Sequence, residues 1–337
     1  MGKVILVTGG YGFIGSHFIK LALRYNNKII NIDNITYAAN KLIIDEFKCI
    51  ENLININADI SNYKNIEEIF ELHQPDCILN FAAESHVDNS IFDGMPFIET
   101  NIIGTYNLLQ AALKYYIKYK KPGFKFLQVS TDEVFGTLSS FGQFNETSLI
   151  APRNPYSASK AAADHFVNAF YNTYKLPAII TNCSNNFGRY QNFEKMIPKS
   201  INSILKDKPI LLYGDGSNIR DWLFVEQHVA SLMKILTKGR IGERYCIGGG
   251  VEFTNLQLIS KIYDCAEIFL GKKVVRQIEY VEDRPGHDYR YSIDDDKFTK
   301  EFGESKKINF DEKLLDTVSW YLDCFSEKNK KGKNGAK

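Results

Sequence analysis

Short apolar runs alternate with longer amphipathic segments through the first half of the chain. The runs are rich in β-branched residues and end at Gly, Asn or Asp, which is typical of parallel strands buried on both faces. They predict strands at Val4–Thr8, Ile29–Asp33, Asn52–Asn57, Cys77–Phe81, Phe126–Ser130 and Ala178–Cys183. The segments between them predict helices that include Gly15–Tyr25, Ile66–His73, Phe97–Tyr119 and Ser157–Tyr174. Because alternating strands and helices form βαβ units, we expect an α/β protein with a doubly wound parallel sheet.

The alternation weakens after about Asn185, where Gly, Pro, Asn and Asp become frequent. A later apolar run, Arg244–Ile247, is suited to rejoin the sheet, and the remainder predicts a smaller α+β lobe. The end of the chain is basic and lacks apolar residues that could pack, which predicts disorder. The predicted units are a sheet domain of residues 1–184 joined by 222–250, a smaller lobe of 185–221 and 251–326, and a tail of 327–337.

Composition and charge narrow the possible functions. The 337 residues carry a net charge of +1, so no global field favours nucleic acid or a membrane surface. Six cysteines are scattered without a CxxC pair or a Cys/His cluster, which favours free thiols in a reducing cytosol over a zinc site or disulfides. No segment has the roughly 18 unbroken apolar residues of a membrane span. We therefore expect a cytoplasmic protein with no metal, nucleic-acid or membrane partner.

A glycine-rich turn joins the first predicted strand to the first helix. Gly9, Gly12 and Gly15 are spaced GxxGxxG, which permits a tight turn, a close backbone approach to a pyrophosphate and a helix N-terminus facing its charge. Asp33 ends the second strand, where an acidic residue accepts hydrogen bonds from ribose hydroxyls. Its carboxylate would repel a 2′-phosphate, so the pattern predicts a Rossmann domain that binds NAD. The alternative is that Asp33 caps a loop.

The residues that follow the third and fourth strands are further candidates for the cofactor site. Ligands of such sheets lie at the carboxyl ends of the strands. The candidates there are Asp59, Ile60, Ala82, Ala83 and Ser85.

Tyr156 and Lys160 form a Tyr-x-x-x-Lys pair at a predicted helix start. The i, i+4 spacing places both side chains on one helix face. An ammonium close to the phenol would lower its pKa, so that Tyr156 could act as a base, and Lys160 could also bind the nicotinamide ribose. The alternative is that the two residues are simply an exposed pair on one helix, because the spacing alone is common in such pairs.

Two adjacent carboxylates, Asp132 and Glu133, follow Ser130 and Thr131 at the end of the fifth predicted strand. A buried strand end is a costly place for two ionised neighbours. The functional interpretation is an acid and a base whose pKa values are pushed apart, and the alternative is a pair of solvated loop acids.

From about residue 3 to residue 325, the sequence resembles the dTDP-glucose 4,6-dehydratases of the extended short-chain dehydrogenase/reductase superfamily. The Asp132-Glu133 pair distinguishes this family from related nucleotide-sugar epimerases and decarboxylases. Those enzymes share the glycine motif and Tyr-x-x-x-Lys but do not usually carry the Asp-Glu pair. The matching segments are TGGYGFIGSH, DNITYAAN, AAESHVDNS, STDEVFG, YSASKAAADH, NCSNNFGRYQNFEKMIP, YGDGSNIRDWLFVEQHVA and DRPGHDYRY.

The resemblance implies a role for each catalytic candidate. Tyr156 takes the C4 hydroxyl proton as hydride passes to NAD, and Thr131 hydrogen-bonds the C4 oxygen. Glu133 then removes the C5 proton and Asp132 protonates the departing C6 hydroxyl, after which hydride returns to C6. The implied function is a nucleotide-glucose 4,6-dehydratase acting on dTDP-glucose or also UDP-glucose. The alternatives are another NAD-dependent nucleotide-sugar epimerase or decarboxylase, and a non-catalytic NAD sensor.

The resemblance also implies further contacts. By their chemistry alone, Arg220 and Arg284 suit a pyrophosphate, because it prefers bidentate guanidinium partners. The alternative is that they form salt bridges with Asp221 or Asp283. Further cofactor contacts are expected at Phe13, Ile14, Asn34, Ile35, Thr36, Phe81, Thr100 and Asn186. Substrate contacts are expected at Ser85, Thr131, Asn185, Lys195, Met196, Tyr213, Arg220, Asn255, Asp283, Arg284 and His287.

Two predicted helices, 97–119 and 157–174, are apolar around more of their circumference than contact with one sheet requires. A homodimer formed through both helices would bury the additional face. The alternative is burial beneath the smaller lobe.

Overall fold

The computed structural model describes residues 2–303 and 308–334. Its centre is a seven-stranded sheet in which every neighbouring pair is parallel, in the order β10-β6-β5-β4-β1-β2-β3. This confirms the doubly wound α/β fold. The strands of this sheet are β1 Val4–Thr8, β2 Lys28–Asp33, β3 Leu53–Asn57, β4 Cys77–Asn80, β5 Lys125–Thr131, β6 Ala178–Cys183 and β10 Arg244–Ile247.

Helices cover both faces of the sheet. The described α-helices are α1 Phe13–Leu23, α2 Lys41–Phe47, α3 Tyr63–His73, α4 Val87–Phe92, α5 Met95–Phe97, α6 Thr105–Tyr119, α7 Pro155–Tyr174, α8 Met196–Leu205, α9 Val225–Lys238, α10 Asn255–Leu270, α11 Asp296–Phe302 and α12 Phe310–Asn334. Phe18 of α1 and Leu232 of α9 pack with Leu127 on one face. Leu108 of α6 and Val167 of α7 pack with Ile78 on the other. The apolar stripes read from the sequence therefore form two cores, one on each side.

The helix predicted at 97–119 is interrupted. A π-helical turn, Ile98–Gly104, separates α5 from α6. Asn101 within it accepts a hydrogen bond from the Glu84 N–H (2.9 Å) and donates to the Glu84 carbonyl (3.0 Å) and the Ser159 hydroxyl (2.8 Å). Such local turns commonly occur at functional sites, and these three long-range partners cannot be read from helical periodicity.

The smaller lobe follows β6 and has its own core. A three-stranded sheet joins β7 Asn185–Phe187, β9 Ile219–Phe224 and β11 Glu252–Thr254, and a two-stranded sheet joins β8 Ile210–Tyr213 and β12 Ile278–Val281. The core residues include Phe187, Ile201 of α8, Ile262 of α10 and Val318 of α12. The chain returns to the large sheet at β10, as the sequence predicted for Arg244–Ile247.

The last described element is helix α12, which continues to Asn334, into the segment 327–337 for which the sequence predicts disorder. The disorder of that tail stays a prediction. Residues 335–337 lie outside the described residues. No helix within the described ranges is long and apolar enough to cross a bilayer.

Candidate active site

A cleft of about 530 Å³ opens where β1, β2, β4 and β5 end and the smaller lobe covers the sheet. All the predicted cofactor and substrate residues line it except Ile35 and Asp283. Ile35 is exposed, and its N–H donates to Asp33 Oδ1 at 2.9 Å. Asp283 accepts a hydrogen bond from His287 Nδ1 at 2.6 Å, so it orients a lining residue. The topology thus brings the predicted residues of both lobes together in one cavity.

The glycine turn provides a cradle that a dinucleotide fits. Gly9 has a φ of +69°, and a Cβ there would lie 2.8 Å from the Ala82 nitrogen. A Cβ on Gly15 would lie 2.4 Å from the Gly9 oxygen, so only glycine lets α1 start this close to β1. Gly12 is the N-cap of α1 and no side chain caps it. The start of α1 is therefore available to the pyrophosphate of NAD.

Asp33 fixes the backbone around it, as the loop-capping alternative expects, and remains able to accept further hydrogen bonds. Its carboxylate accepts hydrogen bonds from the N–H groups of Tyr11 and Ile35, both at 2.9 Å. Burial raises the pKa of Asp33, and these two backbone hydrogen bonds oppose that shift. Each carboxylate oxygen has a second lone pair, so Asp33 can fix the loop and still accept ribose hydroxyls.

The two adjacent carboxylates lie at the start of a 3₁₀ turn, Asp132–Phe135, directly after β5. Thr131 Oγ1 accepts the Glu133 N–H at 3.3 Å and donates to Asp132 Oδ1 at 3.2 Å. Asp132 is 2% exposed and its Oδ2 has no hydrogen-bond partner. Burial, together with the charges of Glu133 and Asp221, raises the pKa of Asp132 well above its usual value. Asp132 is therefore not a solvated loop acid.

Glu133 has a different electrostatic environment. Burial raises the pKa of Glu133, but the positive charges of Lys195 and Arg220 act in the opposite direction. Asp132 therefore favours the protonated acid, while Glu133 is better able to ionise and accept a proton.

Tyr156 and Lys160 are both buried at the start of α7. The Lys160 ammonium donates to the Val129 carbonyl at 2.8 Å, and burial lowers the pKa of Lys160. Burial and the Glu133 charge raise the pKa of Tyr156 well above its usual value, while a hydrogen bond with Thr131 opposes the shift. The net shift of the Tyr156 pKa is therefore upwards, opposite in direction to the lowering expected from a neighbouring ammonium.

The predicted anion-binding arginines have partners other than those considered. Arg220 donates to the carbonyls of Ile219 (2.8 Å) and Asp288 (3.0 Å), while Asp221 accepts backbone N–H groups. Arg284 pairs with Asp88 at 3.2 Å rather than with Asp283. Both guanidinium groups line the cleft, where an anion could reach them.

Polar contacts join the lobes at the mouth of the cleft. The Lys195 ammonium donates to the Ser85 carbonyl at 2.8 Å, and Tyr213 donates to Asp88 at 3.2 Å. Burial, with the charges of Arg220 and Arg284, lowers the pKa of His287 to about 4. A neutral His287 is thus suited to hydrogen bonding. Among the described residues no group of three or more His, Cys, Asp or Glu could bind a metal ion.

Sequence reasoning missed several residues of the cleft. Tyr291 is buried, donates to Asp288 and stacks beneath the Arg220 guanidinium at 4.5 Å. Cys183 lies near the catalytic groups, and burial raises the pKa of its thiol to about 12, so it stays protonated. Both residues fall in segments that carry the resemblance. Their direction towards the cleft depends on tertiary contacts that a linear pattern does not contain.

Comparison with known proteins agrees with this geometry. The family model described as GDP-mannose 4,6 dehydratase matches residues 6–317. A dTDP-glucose 4,6-dehydratase of Haemophilus influenzae is 47% identical over 329 residues, covering 94% of this chain and 97% of the relative. The chain belongs to the dTDP-glucose 4,6-dehydratase family.

Solved structures of this family have the same fold. The Bacillus anthracis dTDP-glucose 4,6-dehydratase in complex with NAD is 41% identical, with a TM-score of 0.85 and 98% coverage of both chains. The Streptomyces venezuelae enzyme with NAD and TYD bound is 39% identical, with a TM-score of 0.87 and coverage of 95% of this chain and 97% of that one. A UDP-glucuronic acid 4-epimerase from Bacillus cereus reaches a TM-score of 0.85 at only 25% identity, over 96% of this chain and 99% of that one. The fold is therefore shared more widely than the sequence.

Proposed function

We propose that this chain is an NAD-dependent hydro-lyase that converts dTDP-glucose to its 4-keto-6-deoxyglucose nucleotide and water. The observation that carries the proposal is the pair Asp132 and Glu133, which line a cleft together with Tyr156 and the dinucleotide cradle. The family relatives named above support the same substrate.

Oxidation at C4 is the first step, and Tyr156 is the residue that takes the C4 hydroxyl proton. Bound in the cradle, NAD would accept hydride from C4 and return it to C6, and its positive nicotinamide ring would lower the pKa of Tyr156. Thr131 hydrogen-bonds with Tyr156 and orients the C4 oxygen. Lys160 binds the nicotinamide ribose in this proposal, and the hydrogen bond from its ammonium to the Val129 carbonyl, which orients the side chain, supports that role.

Loss of water follows because a C4 ketone acidifies the C5 hydrogen. Glu133 takes the C5 proton, and the C5 electron pair forms a double bond as the C6–O bond breaks. Asp132 donates its proton to the departing hydroxyl, which leaves as water. Because burial raises the pKa of Asp132, it favours the protonated acid that this step requires. After hydride reaches C6, a proton returns to C5.

We propose a division of labour between the lobes. Residues 1–184 with 222–250 supply most of the proposed dinucleotide contacts, and residues 185–221 with 251–326 supply most of the proposed nucleotide-sugar contacts, among them Arg220 and Arg284. UDP-glucose is a second candidate substrate, because it differs from dTDP-glucose at the base by one methyl group, worth about 1 kcal/mol in a close-fitting pocket.

We also propose a homodimer in the cytoplasm. Ile117 and Tyr174 are 61% and 51% exposed, and Ile103 and Phe166 also face solvent, so the smaller lobe does not cover this face. The Tyr106 and Phe166 rings, 5.5 Å apart, join α6 and α7 into one apolar surface that a second copy would bury. The free cysteines suit a reducing compartment.

Turnover with dTDP-glucose and UDP-glucose, assayed side by side, tests the proposed function. We expect a 4-keto-6-deoxy product, preferentially from dTDP-glucose, and loss of turnover in Tyr156→Phe. An epimerised or decarboxylated sugar would support the rival nucleotide-sugar enzymes. Binding of NAD with no turnover of either sugar would support the sensor.

A further inference from the structure

A buried polar cluster lies behind the catalytic acids and outside the cleft. It consists of Asp164 on α7, Asn182 on β6 and Arg244 on β10. Asp164 and Asn182 are 1% and 0% exposed, and none of the three lines the cleft. The mechanism above uses none of them, so their burial needs a separate explanation.

The cluster is connected internally. Arg244 Nη1 pairs with Asp164 Oδ2 at 3.0 Å and also donates to Asn182 Oδ1. Asn182 Nδ2 is 3.4 Å from the same Asp164 oxygen. The amide of Asn182 therefore has its orientation fixed, with the oxygen towards Arg244 and the NH₂ group away from it.

That NH₂ group contacts the catalytic segment. Asn182 Nδ2 donates to the Thr131 carbonyl at 2.8 Å, at the residue where β5 ends and the 3₁₀ turn begins. The Arg244 guanidinium lies 5.8 Å from the centre of the Phe135 ring, at the other end of the turn. The cluster thus contacts the segment 131–135 at both ends, with Asp132 and Glu133 between the two contacts.

Stability alone does not account for this arrangement. A buried ion pair is often no more stabilising than apolar residues of similar volume, because desolvation offsets the attraction. Asp164 Oδ1 also has no hydrogen-bond partner, which adds to that cost. A geometric role explains why polar groups occupy a site that apolar residues could fill.

We propose that Asp164, Asn182 and Arg244 are positioning residues that fix the segment Thr131–Phe135, and thereby aim Asp132 and Glu133 at the sugar. The inference rests on the proposed dehydration. The residues touch neither substrate nor cofactor, so their effect falls on the rate of the chemical step rather than on binding.

Asn182→Leu tests the link to Thr131, because leucine has nearly the same shape and removes the hydrogen bonds to Thr131, Asp164 and Arg244. We expect kcat to fall roughly 10- to 100-fold, since small misplacements of catalytic groups have effects of that order. The KM for dTDP-glucose and the amount of NAD retained on purification should stay within about twofold of the wild type.

The double variant Asp164→Leu/Arg244→Met separates positioning from stability. It removes both charges and leaves neither buried alone, so the melting temperature should change little while kcat falls. Arg244→Lys keeps a charge and a donor, and should retain more kcat than the double variant. Glu252→Gln is the matched control, because it removes a carboxylate from another arginine pair, Glu252–Arg290 at 2.6 Å, outside the cleft.

The outcomes are distinct. No product from the wild type with either sugar overturns the proposed function itself. Product from the wild type, with Asn182→Leu and the double variant both folded and within about twofold of wild-type kcat, overturns the positioning proposal. If Asn182→Leu does not fold, comparison of the double variant with Arg244→Lys tests the proposal. Equal kcat values in these two variants refute it. A lower kcat in the double variant, at an unchanged melting temperature, supports it.

Discussion

At the scale of single residues, the site depends on the different environments of two neighbouring carboxylates. Asp132 is buried against other acids, whereas Glu133 lies near Lys195 and Arg220. The same chemical group is thereby suited to donate a proton at one position and to accept one at the next.

Glu133→Gln should stall the reaction after oxidation at C4, because glutamine cannot accept the C5 proton. We expect turnover to fall by about 10²–10⁴, the usual contribution of a general base. Single-turnover absorbance should still report reduction of the bound cofactor. The decisive measurement is the rate at which solvent deuterium is incorporated at C5. Incorporation at the wild-type rate would show that Glu133 is not the base.

Asp132→Asn should lower turnover and raise stability. The pKa of Asp132 is higher in the folded than in the unfolded chain, so its contribution to stability is present below the unfolded pKa and is lost as pH rises through the folded value. Asparagine removes this loss, and the melting temperature at neutral pH should increase by roughly 1–2 °C per kcal/mol recovered. The gain should disappear near pH 3 in calorimetry. An unchanged melting temperature at neutral pH would contradict the assigned burial.

At the scale of elements, the close approach of α1 to β1 and β4 forms the cofactor cradle. A Cβ on Gly12 would meet the Gly9 oxygen at 3.1 Å and otherwise point into open space, unlike the clashes at Gly9 and Gly15. Substitution of Gly12 therefore leaves the position of α1 unchanged, but the added side chain occupies the space that a pyrophosphate needs.

Gly12→Ala should therefore lose NAD while remaining folded. We expect the NAD content of the purified protein to fall at least tenfold, which corresponds to about 1.4 kcal/mol, with a modest change in melting temperature. Gly94→Ala is the control, because its Cβ would make only ordinary contacts at 3.8–3.9 Å. Full NAD occupancy in Gly12→Ala would show that the dinucleotide lies elsewhere.

At the scale of the whole molecule, the exposed apolar face of α6 and α7 determines the assembly. Phe166→Glu and Ile117→Glu place charges on this face without entering the core of the chain. We expect sedimentation to show a dimer for the wild type and a monomer for the double variant. A wild type that sediments as a monomer at micromolar concentration would refute the proposed interface.

Two buried histidines should make the molecule sensitive to acid. Burial lowers the pKa of His17 to about 4 and of His228 to about 3. The unfolded chain binds more protons between these values and about 6.5, so stability should fall with decreasing pH across that range, by up to about 1.4 kcal/mol per pH unit for each histidine. His228→Asn should flatten the slope measured by urea unfolding, whereas the exposed His165→Asn should not. Equal slopes would contradict this account.

Much of this architecture is determined locally. Val4–Thr8 and Ala178–Cys183 form strands as predicted, because continuous β-branched runs have few alternatives to a buried sheet. The glycine turn and the Tyr-x-x-x-Lys spacing likewise follow from constraints on a few neighbouring residues. The sequence by itself therefore determined the fold class, the cofactor cradle and the identity of the candidate catalytic groups.

Tertiary structure decided what depends on distant partners. The π-helical turn around Asn101 depends on hydrogen bonds with Glu84 and Ser159. Arg284 pairs with Asp88, which is distant along the chain. The protonation of Asp132 and Tyr156 is set by burial, which no local pattern encodes. Hydrogen bonds and desolvation act over a few ångströms in space, whatever the separation along the chain, so only the folded molecule could assign them.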